Sequence, residues 1–207
     1  MQQELSALQC DALREMGNIG SGHAATALSK LLNETVMLDI PKVRIMTVEE
    51  LAKDMSKQKS DPVMVGVFQK IYGKVNGSIL ITLPREHAFK LVDIMASRSK
   101  GETKFLGIME VSILEEVGNI LTGSYLTALS NLTGLVLLPS VPTAVVDALS
   151  SLLDRALSNS EGKATRAILI ETGMSVLMLD LLGSVYLFPT AESVQVIFDS
   201  LGLPEGM

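Results

Sequence analysis

Asp11-Ala-Leu-Arg-Glu15-Met-Gly17-Asn18-Ile-Gly-Ser-Gly22 and Ser112-Ile-Leu-Glu-Glu116-Val-Gly118-Asn119-Ile-Leu-Thr-Gly123 are one stretch written twice, 101 residues apart. Glu15, Gly17, Asn18, Ile19 and Gly22 return as Glu116, Gly118, Asn119, Ile120 and Gly123. Thr26-Ala-Leu-Ser29 returns as Thr127-Ala-Leu-Ser130, and Pro41 as Pro142. Two copies predict a duplicated, pseudo-twofold domain and not a many-repeat solenoid.

Wound as a helix at about 100° per residue, Asp11, Glu15, Asn18, Gly22 and Thr26 fall on one stripe, as do Ser112, Glu116, Asn119, Gly123 and Thr127. Leu5, Leu13, Met16, Ala27, Leu28 and Leu31 supply the expected core side. The stripe is expensive for a helix, since each glycine gives up roughly 1 kcal/mol of propensity relative to alanine. Such glycines make room for a close neighbour, either inside the chain or on a partner. A single copy would read as an ordinary solvated face. Two copies with the same Glu-to-Asn and Asn-to-Pro spacing favour a functional surface.

Working outward, helix one is expected from about Glu4 to Leu32, with strands at Thr35–Ile40 and Val43–Met46. Val48–Lys59 reads as a short helix and loop, Val63–Ile71 and Ser78–Leu83 as strands, and Pro84 opens a helix to about Ala96. Ser97–Thr103 links the halves. The second half starts with a helix from about Leu106 to Leu132, then a short strand at Leu135–Leu138. The amphipathic stretch Thr143 to Leu157 reads as a helix that the first half lacks. Ser158–Lys163 reads as a turn, Ala167–Glu171 and Val176–Phe188 as strands, and Thr190 to Leu201 as a last helix. The pattern predicts an α+β fold: two repeats, about 1–100 and 101–207, sharing one antiparallel sheet with the long motif-bearing helices.

The 207 residues are 47% hydrophobic and 19% charged with net charge −6, enough to build a core and without the basic clusters of a nucleic-acid binder. Cys10 is the single cysteine, which excludes an internal disulfide and a cysteine-rich zinc site. Glu4 lies early and no apolar run follows it, so no signal peptide is expected. The apolar stretch Met174 to Phe188 is broken by Asp180 and Gly183 and is too short to span a bilayer. A cytoplasmic location is expected.

Gly20-Ser-Gly22-His-Ala-Ala25 fits a dinucleotide fingerprint in letters only, because an amphipathic helix precedes it and Gly20 becomes Leu121 in the second copy. His23 and His87 have no ligand spacing, and no nucleophile–histidine pair can be drawn; no metal site is expected. Glu15 and Glu116 as a glycosidase pair conflicts with the repeat, which makes two separate sites of one Glu and one Asn each. The eleven methionines read as core filler. A carboxylate beside a carboxamide has no nucleophile. An amide can hold a water in line with an electrophile, and a carboxylate can grip a partner's lysine or arginine. Together they suit a protein that completes a partner's active site around a phosphoryl group.

The doubled pattern Asp/Ser-x3-Glu-x2-Asn-x22-Pro, met by Asp11, Glu15, Asn18 and Pro41 and by Ser112, Glu116, Asn119 and Pro142, resembles the CheC/CheX/FliY family of chemotaxis phosphatases. Two motifs resemble its CheC members; CheX would match with one, and FliY would continue into a flagellar-switch domain for which the end at Met207 leaves no room. The resemblance implies hydrolysis of the aspartyl phosphate on the response regulator CheY. Asn18 and Asn119 would position water, and Glu15 and Glu116 would pair with the regulator's lysine. No cofactor is expected on this chain, and Mg²⁺ would sit on CheY. The resemblance also implies binding of the receptor deamidase CheD through Thr143 to Leu157, with Asp147 as an exposed contact. The alternatives are a non-catalytic module that sequesters CheD and a structural protein of the flagellar switch.

Overall fold

The computed structural model describes residues 6–57, 60–159, 164–176 and 179–203. Helix α1 runs Ala7–Leu32, followed by β1 (Val36–Leu38), β2 (Lys42–Thr47), α2 (Val48–Lys57), β3 (Val63–Gly73), β4 (Gly77–Pro84) and α3 (Arg85–Met95). The same series then recurs as α4 (Ile108–Thr133), β5 (Leu137–Pro139), β6 (Thr143–Ala148), α5 (Leu149–Asn159), β7 (Arg166–Val176), β8 (Leu179–Pro189) and α6 (Ala191–Ser200). Glu4 and Leu5, expected in helix one, lie outside the described residues.

The strands make one eight-stranded sheet, ordered β1-β7-β8-β4-β3-β5, with β2 beside β1 on β7 and β6 beside β5 on β3. Every pairing is antiparallel. Exchanging the halves maps this order onto itself about the central β4–β8 pair. Each half therefore lends its first two strands to the other: β1 and β2 hydrogen-bond to β7, and β5 and β6 to β3.

Alternation along the strands sorts the core into layers. Val67, Ile79, Ile81, Ile168, Ile170, Val185 and Leu187 pack beneath α1, α4 and α6. Phe68, Leu80, Leu169, Tyr186 and Phe188 face the other way, under Leu51 of α2 and Leu152, Leu153 and Ala156 of α5. Val65 and Leu83 join α3 with parts of α1 and α4. With both faces covered, β4 is buried from Gly77 to Leu83, including the polar Ser78 and Thr82.

Several details depart from expectation. Thr143 to Leu157 is not one helix: Thr143–Ala148 is strand β6 and only Leu149–Asn159 is helical. Nor is it peculiar to the second half, because β2 and α2 occupy the same place in the first. β-Branched Thr143, Val145 and Val146 pair with Phe68, Gly66 and Val65 across the sheet, where their stiff side chains suit the pleat. In α1, Leu13, Met16 and Leu28 are buried as expected, but Leu31 is exposed and Ala27 only half-buried.

Candidate functional site

Both motif helices are held at their ends by equivalent devices. Ser6 caps α1, its hydroxyl accepting from the Gln9 N–H while Gln9 reaches back to the Ser6 N–H. In α4, the Glu110 carboxylate accepts the Gly107 N–H and pairs with Arg98 at 2.7 Å. Asn33 and Gly134, again 101 apart, end the helices in the left-handed conformation, with φ of 51° and 71°. Ser29 accepts the Val36 N–H at the start of β1, and Ser130 donates to the Leu135 carbonyl just before β5, so the repeated serine ties each helix end to the chain that follows.

Between those ends the stripe is exposed. Asp11, Glu15 and Asn18 on α1, and Ser112, Glu116 and Asn119 on α4, all face solvent. Glu15, Asn18 and Glu116 make no side-chain hydrogen bond among the described residues. Glu and Asn three apart stand as neighbours on a helix surface, so each copy presents a free carboxylate beside a carboxamide. Asp11 forms a 2.7 Å ion pair with Arg14, both side chains exposed, whereas the Ser112 hydroxyl donates to the Ile108 carbonyl. Pro41 and Pro142 are half-buried, and Pro41 lies 3.8 Å from where a Cβ on Gly17 would sit.

The glycines divide into two kinds. A Cβ on Gly17 would stand 2.7 Å from Val43 Cγ2, and one on Gly118 2.5 Å from Val67 Cγ1, so this pair lets the helices settle on the sheet. Gly22 and Gly123 have nothing within 4 Å of an added Cβ. They leave bare backbone one turn beyond each Asn, on the open face. The helices meet each other elsewhere, where Gly20 lies against the Tyr125 ring and Ser21 Oγ is 3.0 Å from the Tyr125 hydroxyl. Burial pushes the Tyr125 hydroxyl pKa up, with the Ser21 bond opposing.

Sequence reasoning missed an apolar rim that also repeats. Leu8 and Met109 precede Asp11 and Ser112 by one turn on the same stripe, and both are exposed. Ile40 and Val141, each just before the motif proline, are 87% and 85% exposed. Met37 and Leu138 form a third exposed pair at the same 101-residue spacing. The signal was available in the sequence as apolar residues recurring in both copies at positions outside the helical core side.

The remaining sequence candidates find other roles. Helix α1 passes unbroken through Gly20-Ser-Gly22, so no phosphate-binding loop exists there. His87 Nδ1 accepts the Leu182 N–H at 2.9 Å, and His23 is exposed. No cluster of three or more His, Cys, Asp or Glu among the described residues is arranged to hold a metal. Asp147 is exposed, but it lies in strand β6 instead of on a helix. Its carboxylate accepts from the Ser151 hydroxyl and the Ala148 N–H, and those bonds lower its pKa. No described helix is long and apolar enough to cross a membrane.

The profile of the CheC-like family matches residues 8–40 and 109–146, which are the two motif helices with the strands that follow them. The CheY-P phosphatase CheC of Bacillus subtilis (strain 168) is 31% identical over 198 residues, covering 94% of each chain. The chain belongs to the CheC-like family. Its fold is shared with Thermotoga maritima FliY, at a TM-score of 0.74 and 22% identity over 97% of this chain and 98% of that one. CheX in a complex with CheY, BeF3 and Mg from Borrelia burgdorferi is a more distant neighbour. There the TM-score is 0.50 and the identity 18%, over 83% of this chain and 96% of that one. CheC-like membership accounts for the two matched segments coinciding with the two exposed stripes.

Proposed function

We propose that this protein is a cytoplasmic phosphatase of a phosphorylated CheY-type response regulator, with two pseudo-equivalent sites. One observation carries the reading. In each copy a solvent-facing Glu and Asn stand side by side on a rigid helix, next to bare backbone at Gly22 or Gly123 and an apolar rim. Such a surface suits a guest that brings its own electrophile. Family membership and a relative that is a CheY-P phosphatase add support.

In this reading Glu15 or Glu116 pairs with a cation at the regulator's active site and sets the helix in register. Asn18 or Asn119 orients a water in line with phosphorus. Water attacks, the P–O bond of the acyl phosphate breaks, and the products are inorganic phosphate and the regulator's free aspartate. The attacking water's proton leaves with the products, and the divalent metal that neutralises the phosphoryl oxygens belongs to the regulator. Asp11, Ser112, Pro41 and Pro142 shape the surface and take no part in the chemistry.

Phosphate release from phosphorylated CheY in Mg²⁺ tests this. Asn18→Ala and Asn119→Ala are each expected to lower the accelerated rate and together to abolish it, by on the order of 100-fold or more, with the fold intact by circular dichroism. Equal rates for wild type and the double variant would overturn the assignment.

CheD binding is a separate expectation that rests on the family resemblance. Its surface would be Asp147 with the outer side of α5, where Ser151, Asp154 and Arg155 are exposed. Deleting those side chains should abolish CheD capture and leave phosphate release unchanged. A protein that captures CheD but releases no phosphate would be the non-catalytic module.

A further inference from the structure

One polar side chain is buried beneath the second site where an apolar one would cost less. Gln69 lies on the face of β3 that carries Val65, Val67 and Ile71, and is only 2% exposed. Its Nε2 donates to the Ser140 carbonyl at 2.7 Å and to Asn119 Oδ1 at 3.1 Å, while its Oε1 is buried without a partner among the described residues. The geometry decides the orientation of both amides. A carbonyl can only accept, so the Gln69 nitrogen must face Ser140. That nitrogen's second hydrogen points at Asn119, which must therefore present its oxygen inward and its Nδ2 outward.

The first site differs in sequence. Val43 pairs with Ile170 as Ala144 pairs with Val67, so by strand register the position in β7 equivalent to Gln69 is Thr172, and the glutamine is not repeated. Asn18 makes no side-chain hydrogen bond among the described residues. We infer that Gln69 is a positioning residue for Asn119: it presets the carboxamide with its NH2 end toward the incoming partner, so the second site is preorganised and the first is ordered only on docking. This rests on the phosphatase reading above.

The test isolates each site. In the Asn18→Ala background, where only the second site acts, Gln69→Met should lower the maximal rate of CheY phosphate release on the order of tenfold. The half-saturating CheY-P concentration should not change. In the Asn119→Ala background the same substitution should cost nothing further. An equal loss in both backgrounds would mean a merely structural effect and would overturn the inference, as would no loss in either. Side-chain amide relaxation in the unmutated protein gives a second reading, with Asn119 Nδ2 expected to be more ordered than that of Asn18. Equal mobility of the two would also overturn it. Failure of the unmutated protein to accelerate hydrolysis at all would sink the phosphatase reading instead, and the amide measurement would still stand.

Discussion

At the scale of single residues, the same amino acid does opposite work at neighbouring positions. Gly118 is filled from below by Val67, whose Cβ itself would lie 2.8 Å from the new atom and cannot swing aside. Gly118→Ala should therefore destabilise the protein by about 1–3 kcal/mol, read as a lower denaturation midpoint. Gly123→Ala meets nothing, so it should gain about 1 kcal/mol of helix propensity and raise Tm by roughly 2–4 °C. If that bare backbone receives the partner, the more stable variant will be the poorer phosphatase. A stabilised variant with unchanged activity would leave Gly123 with no role at the surface. The letters alone announced that these glycines were costly. They could not say which were packed and which were open, since that depends on the sheet lying beneath one side of the helix only. Gln69 was equally hidden: alternation within Val63–Ile71 puts it on the inward face with Val65, Val67 and Ile71, but nothing local says which buried group its amide meets.

Among elements, the link between the halves is clipped at both ends. Asp93 at the end of α3 accepts from the Gly101 and Thr103 N–H groups at 2.7 and 2.8 Å, and Arg98 crosses to Glu110 at the start of α4. Burial works to raise the Asp93 pKa, but the hydrogen bonds from Thr103, Gly101 and Glu102 outweigh it and hold it below its ordinary value of 3.8. Glu110 is lowered from 4.5, first by its bond to Arg98. Groups lowered in the folded state stabilise it fully above their ordinary values and lose that contribution as pH falls through the native ones. Tm should thus fall between about pH 5 and pH 3, and Asp93→Asn should lower Tm at neutral pH while flattening that decline. Parallel curves for the two proteins would show that Asp93 contributes nothing to it. Element boundaries were mostly legible here, because long apolar stripes, Asn33, Gly134 and Pro84 all mark ends. Thr143–Leu157 misled because Leu149, Leu152, Leu153 and Ala156 do form a helical stripe. The β-branched run before it belongs to a strand whose partner is some eighty residues away.

For the molecule as a whole, strand exchange makes each half incomplete. Without β7, strands β1 and β2 lose their pairing partner, and without β5 and β6 one side of β3 is an open edge. Residues 1–100 or 101–207 alone are expected to be unfolded, aggregated or self-paired, and mixing the two should restore a compact heterodimer. Circular dichroism and size-exclusion chromatography check this, and a folded monomeric half would contradict it. Such a half would mean that the two repeats are separable domains.

The repeat, the two helices and the Glu–Asn stripe follow from the chain by itself, because helical spacing is local and a second copy distinguishes chosen residues from incidental ones. Only the tertiary structure decided that the halves trade strands and that one glycine of each pair is filled. It also decided that Gln69 grips Asn119, whereas Asn18 makes no side-chain hydrogen bond among the described residues. Each of these depends on contacts between positions far apart in the chain, and no periodicity within a stretch of sequence encodes which distant strand will arrive beneath a given side chain.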